Sequence, residues 1–248
     1  MARRVIAITG GTRGIGRAIA ELFAERGDAV AVCSRAPRAV ALPAEFLHVQ
    51  VDVRDRQAVG RFVAAAVERF GWLDVFVNCA GVSRWRPLED IDEPFAEEVI
   101  GTSVYGTLWG CAAAARVLRP GGVIVNVSSL AGKRGSANNS AYCAAKFAVN
   151  GMTQALAKEL GSRGIRVNAV CPVYVATEQI RASLAEPAAP AGGQDVDAYL
   201  ATFTATQTAL GRLPSADEVA EAVYFLASPS AAAITGQCLN VDCGTLPQ

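Results

Sequence analysis

The sequence carries no excess charge of either sign, no long apolar run and one histidine. Lys plus Arg and Asp plus Glu balance at 23 each in 248 residues, so nothing in the charge favours nucleic acid or an anionic membrane as partner. No uninterrupted hydrophobic stretch is long enough to span a bilayer. Met1-Ala2-Arg3-Arg4 leads directly into a strand too short for a signal-peptide core. The seven cysteines, Cys33, Cys79, Cys111, Cys143, Cys171, Cys238 and Cys243, never fall in a CxxC spacing. They read as small buried thiols of a reducing cytoplasm, not as a disulfide frame or a metal site. His48 lies in the middle of an expected strand and reads as structural.

What is present is an apolar chain, 52% hydrophobic and 19% charged, long enough to bury a large core as one α/β domain. Val5-Ile6-Ala7-Ile8 is a continuous apolar run, as expected of a strand covered on both faces. Ile15, Ala18, Ile19, Leu22 and Phe23 then recur at helical spacing. Between them stands Thr9-Gly10-Gly11-Thr12-Arg13-Gly14-Ile15-Gly16. Gly10, Gly14 and Gly16 allow a tight turn and close backbone approach to a pyrophosphate at a helix N-terminus.

The second chemical signal is Tyr142-Cys143-Ala144-Ala145-Lys146. Residues four apart share one helix face. A phenol titrates near 10, and an ammonium beside it favours the phenolate. Lowering it by roughly two to three units needs about 3–4 kcal/mol, within reach of a partly desolvated cation about 4 Å away. Ser129, at the end of the apolar strand Val123–Val127, would bring a hydroxyl to the same point.

With both signals in order, the chain resembles a short-chain dehydrogenase/reductase, most like the 3-oxoacyl-[acyl-carrier-protein] reductases, over nearly its whole length. The resemblance implies one domain, residues 1–248: a Rossmann-type, doubly wound parallel sheet with helices on both faces. It implies catalysis by Ser129 as carbonyl anchor, Tyr142 as proton donor or acceptor, and Lys146 as pKa tuner and ribose clamp. Ser103, in Gly101-Thr102-Ser103-Val104-Tyr105, takes the place of the family's catalytic Asn, whose role is to bend the helix and hold a relay water. A serine also bends helices locally, so the departure bears on proton supply rather than on hydride transfer.

Cofactor contacts carried over by resemblance are Gly10, Thr12, Arg13, Gly14, Ile15 and Gly16, then Asp52 at the adenine amino group and Val53 on its ring. Asn78, Ala80 and Gly81 match three of the four positions of the family's Asn-Asn-Ala-Gly turn, with Tyr142 and Lys146 beyond them. Pro172, Val175 and Thr177 match the carboxamide segment, where Val173 replaces glycine and is expected to narrow the space or shift the turn. Ser34 stands where NAD-dependent relatives carry Asp, followed by Arg35. With Arg13 these favour NADP(H), two guanidiniums gripping a phosphate, while NAD(H) stays open.

Residues 178–210 break the β/α rhythm and are expected to form a mobile substrate lid. Trp85, Arg86, Leu130, Val173 and Tyr174 are expected to line the pocket with it. Ser215-Ala216-Asp217-Glu218 reads as a capping box opening a helix to Leu226. By family analogy the Tyr142 helix and the preceding one pair across a dimer, usually within a homotetramer. The expected activity is NADPH-dependent reduction of a ketone, including a 3-oxoacyl thioester. The rivals are an NAD-dependent alcohol, sugar or steroid dehydrogenase, and a nucleotide-binding protein without catalysis, the latter motivated by Ser103, Val173 and Cys243.

Overall fold

The computed structural model describes residues 3–37 and 42–247; Met1 and Ala2 of the N-terminal stretch lie outside them. Seven parallel strands form one sheet in the order β3-β2-β1-β4-β5-β6-β7. They are β1 Val5–Thr9, β2 Ala29–Ser34, β3 Leu47–Gln50, β4 Val75–Asn78, β5 Val123–Val127, β6 Arg166–Pro172 and β7 Cys238–Val241. The helices are α1 Gly14–Glu25, α2 Arg56–Phe70, α3 Glu93–Ile100, α4 Gly106–Val117, α5 Ser140–Gly161, α6 Glu178–Leu184, α7 Val196–Gln207 and α8 Ala216–Leu226.

The uniform apolarity of β1 follows from two cores. Val5 and Ala7 point to one face, packed with Phe62 of α2, Ala114 of α4 and Leu160 of α5. Ile6 and Ile8 point to the other, packed with Ile19 and Phe23 of α1 and Val223 of α8. A period of two places neighbours on opposite faces, so a strand buried on both must be apolar throughout. Strand order reverses between β1 and β4, the switch point where open α/β sheets hold ligands beyond the strands' carboxyl ends.

A buried polar cluster ties the middle of the sheet together. Asn126, fully buried, accepts from Asn78 Nδ2 at 2.9 Å across the β4–β5 pair and donates to Thr153 Oγ1 at 2.9 Å. Only a glycine fits opposite: a Cβ at Gly110 would lie 2.1 Å from Asn78 Oδ1. Asn126→Leu leaves the buried Asn78 amide without its partner and is expected to cost about 2 kcal/mol, measured as a lower urea midpoint at unchanged m-value.

The stretch around Ser103 is helical from Glu93 to Val117 but changes pitch. Gly101–Tyr105 forms a π turn between α3 and α4. The lid region contains two helices, α6 and α7, joined through Ala189 and Ala191, which are both buried. Leu184 and Leu200 pack there with Trp85. Ser215 opens α8 with both capping-box bonds, as its spacing predicts.

Candidate active site

At the carboxyl ends of β1, β2, β4, β5 and β6 lies a cleft of about 570 Å³. Its first wall is the glycine turn. Gly10 and Gly14 have φ of +70° and +53°, a region L side chains avoid. A Cβ at Gly16 would sit 2.3 Å from the Gly10 carbonyl oxygen, so α1 packs onto its own entry turn. Gly10 N–H donates to Cys33 O at 2.9 Å, fixing the turn to β2. Thr9 Oγ1 accepts from the N–H groups of Cys79 and Ala80 at 3.1 and 3.2 Å, fixing it to the turn after β4. Thr9 escaped the sequence reading because it looks like an ordinary strand end.

The N-terminus of α1 faces the cleft with no acidic residue in its first turn, a favourable seat for phosphate. Thr12, Arg13, Ile15, Ser34, Arg35, Val53, Ala80, Gly81, Pro172, Val175 and Thr177 line the cleft with the three glycines. Among the described residues four cations line it, Arg13, Arg35, Arg134 and Lys146, and no carboxylate does. This donor set fits a dianionic dinucleotide.

Some expected contacts lie elsewhere. Asp52 is outside the lining, its carboxylate held by Arg54 at 2.6 Å; that guanidinium keeps it below the usual carboxylate range. Asn78 faces the buried Asn126 cluster instead of the cleft. Arg86 is turned away too, paired with Asp92 at 3.5 Å and stacked on Phe95 at 4.4 Å. Arg35 pairs with Glu98 at 3.7 Å. Ser34 Oγ donates to Ala36 O at 2.9 Å, and His48 Nε2 lies 2.9 Å from Ser34 Oγ. Thr177 Oγ1 caps α6 by accepting from Ile180 N–H at 3.3 Å.

Ser129, Tyr142 and Lys146 converge on the cleft floor. Ser129 Oγ accepts from Ala131 N–H at 3.1 Å and donates to Pro172 O at 3.5 Å, and the hydroxyls of Ser129 and Ser83 lie close enough to Tyr142 to favour its phenolate. Lys146, 5% exposed, donates to Val127 O at 2.9 Å, its Nζ 5.6 Å from the Tyr142 ring centroid. Here the expected acidification is reversed. Burial pushes the Tyr142 phenol up to about 12, and the nearby Ser129 and Ser83 hydroxyls only partly oppose it. Burial also pulls Lys146 down to about 8. Both charged forms are costly in so dry a place, and desolvation outweighs the attraction that the i, i+4 spacing led us to expect.

Ser103 lies in the π turn, buried, its Oγ without a protein partner among the described residues. A Cβ built on Gly81 would meet Lys146 Nζ at 3.6 Å and Ser103 Oγ at 4.0 Å, so hydroxyl and ammonium approach the same small space. Val173 lines the cleft, and the non-glycine residues with positive φ among those described are Asn138 and Cys243. Val173 thus stands at the cleft with a φ outside the left-handed region.

The family model described as enoyl-(acyl carrier protein) reductase matches residues 10–245. The 3-oxoacyl-[acyl-carrier-protein] reductase FabG of Vibrio cholerae is 34% identical over 97% of this chain and 96% of its own. The chain belongs to the short-chain dehydrogenase/reductase family. Its members are oxidoreductases of carbonyl and alcohol groups that use nicotinamide dinucleotides. A diacetyl reductase of Staphylococcus aureus is 37% identical over 97% of both chains. The ligand-free aldohexose dehydrogenase of Thermoplasma acidophilum superposes with a TM-score of 0.87 at 29% identity, covering 99% of this chain and 98% of that one. These three relatives are named for different substrates, so membership fixes the reaction class and leaves the substrate to the cleft. No helix of the described residues is long and apolar enough to cross a membrane.

Proposed function

We propose that this chain is an NADPH-dependent carbonyl reductase acting on a ketone, with 3-oxoacyl thioesters within its class of substrates. The observation that carries the reading is the convergence of Ser129, Tyr142 and Lys146 on one cleft with the glycine turn, where desolvation raises the Tyr142 phenol to about 12. Such a phenol holds its proton throughout the neutral range, as a general acid for reduction must. Ser129 directs its hydroxyl at the carbonyl oxygen, and Tyr142 gives that oxygen its proton. A reduced nicotinamide, when bound, supplies the hydride. Lys146 holds the ribose hydroxyls and keeps positive charge beside the developing alkoxide. Ser103, across the small space from Lys146, passes protons toward it through ordered water. The glycine turn and the N-terminus of α1 seat the pyrophosphate.

Arg13 has no carboxylate partner among the described residues, and with Arg35 it supports the preference for a 2′-phosphate. The remaining parts of the reading are a single unit over residues 1–248, a lid over 178–210, a cytoplasmic setting, and a homodimer or homotetramer covering Tyr105 and Phe147, both about half exposed. Steady-state rates with a panel of acyl thioesters, quinones and simple ketones test the activity. NADPH is expected to exceed NADH in kcat/KM by about tenfold or more, the scale of one charge-assisted hydrogen bond. Arg35→Ala should erode that ratio through the KM for NADPH. A clear NADH preference would transfer the reading to an oxidising dehydrogenase.

A further inference from the structure

The far side of the cleft, beyond Ser129 and Tyr142, is built differently from the nucleotide side. Its wall is aromatic: Trp85 from the loop after β4, Tyr174 from the loop after β6, and Phe203 of α7. Tyr174 meets Phe203 edge-on at 4.9 Å between centroids and Trp85 at 6.5 Å. Trp85 is 3% exposed, so this wall is firm. Such walls receive flat or apolar bodies, with a few polar groups fixing orientation.

Among the described residues the charge on this side is Arg134, from the loop between β5 and α5. Neighbouring arginines outside the cleft are neutralised. Arg84 pairs with Glu98 and Glu186 at 3.4 and 3.0 Å, Arg86 with Asp92, and Arg181 with Asp197. Arg134 has no carboxylate partner among the described residues and is exposed; burial pushes the nearby Tyr174 phenol up, and the Arg134 guanidinium only partly opposes that. Arg13 and Arg35 lie at the glycine turn and the end of β2, and Lys146 is bound to Val127 O. Arg134 is thus a cation set aside at the substrate end of a cleft without acidic lining among the described residues.

We propose that the substrate is an anionic ketone, its apolar body against Trp85, Tyr174 and Phe203 and its carboxylate or phosphate on Arg134. This rests on the carbonyl reductase reading and names the substrate class for it. An arginine fork binds either anion in two parallel hydrogen bonds. At a cleft mouth its effect falls on KM and weakens with salt.

Matched pairs test it. 4-Acetylbenzoate is compared with its methyl ester, and the acetoacetyl thioester of pantetheine 4′-phosphate with that of pantetheine. The anionic member is expected to lead by about tenfold in kcat/KM at low ionic strength, by KM. The pair showing the lead identifies the anion as a carboxylate on a free ketone or the phosphate of a pantetheine arm. Arg134→Gln should bring the ratio close to one, and Arg134→Lys should restore part of it. Equal rates within both pairs overturn the proposal while leaving the reductase reading standing. Calorimetric binding of 4-acetylbenzoate decides the matter even without turnover: about tenfold weaker binding to Arg134→Gln supports the anion site, and equal affinity removes it.

Discussion

Tyr142→Phe is expected to bind NADPH as the wild type does and to lose ketone reduction by about 10²–10⁴-fold, the range for removing a positioned general acid. The substitution deletes one oxygen and keeps the ring among Val82, Phe95 and Ala145. Fold and nucleotide seat should therefore survive, with the thermal midpoint within a few degrees of the wild type. The deleted hydroxyl is the one that the nearby Ser129 and Ser83 hydroxyls act on. Without it the developing alkoxide keeps the Ser129 hydroxyl but has no proton within reach. The loss must then appear in kcat, because the hydroxyl acts as the proton moves and contributes little to ground-state binding. NADPH fluorescence on binding and single-turnover reduction separate the two effects. Turnover within tenfold of wild type would make Tyr142 a structural residue and locate the proton donor elsewhere.

Much of the frame behind that site was legible in the residues. Val5-Ile6-Ala7-Ile8 can be so apolar only between two layers, and Gly10, Gly14 and Gly16 leave few alternatives to a turn meeting a helix N-terminus. Features that depend on tertiary balance were not legible. Gly101-Thr102-Ser103-Val104-Tyr105 has no proline to mark its π turn. The direction of the Tyr142 shift depends on how much water burial removes, which the i, i+4 spacing cannot report. Arg86 was expected in the pocket because it neighbours Trp85, yet alternate residues of an extended segment point opposite ways, and it stacks on Phe95 instead. Arg134 sits in a loop without periodicity, and its importance comes from the carboxylates it lacks, which only the folded arrangement of Glu98, Glu186, Asp92 and Asp197 reveals.

Lys146→Met is expected to lower reduction by about 10²-fold or more and to remove a pH dependence that the wild type should show. Burial holds the ammonium near 8, whereas Tyr142 stays protonated up to about 12. In the wild type, kcat/KM for reduction should be level below about pH 7 and fall tenfold per unit above about pH 8, as Lys146 loses its charge. Tyr142 cannot cause a break at that pH. Lys146→Arg, which does not titrate in this range, should lack the break while keeping part of the activity. Stability carries a second signature of the same group. Its folded pKa lies below the unfolded value, so between about 8 and 10.5 the unfolded chain binds more protons and stability rises with pH. Below that window the cost of burying the ammonium is fully present. Lys146→Met should accordingly melt higher than the wild type at pH 7, with the gap narrowing as pH climbs through the window. A wild-type rate that stays level to pH 10, with no gain in melting temperature for Lys146→Met at pH 7, would mean that Lys146 is solvated and titrates as an ordinary lysine.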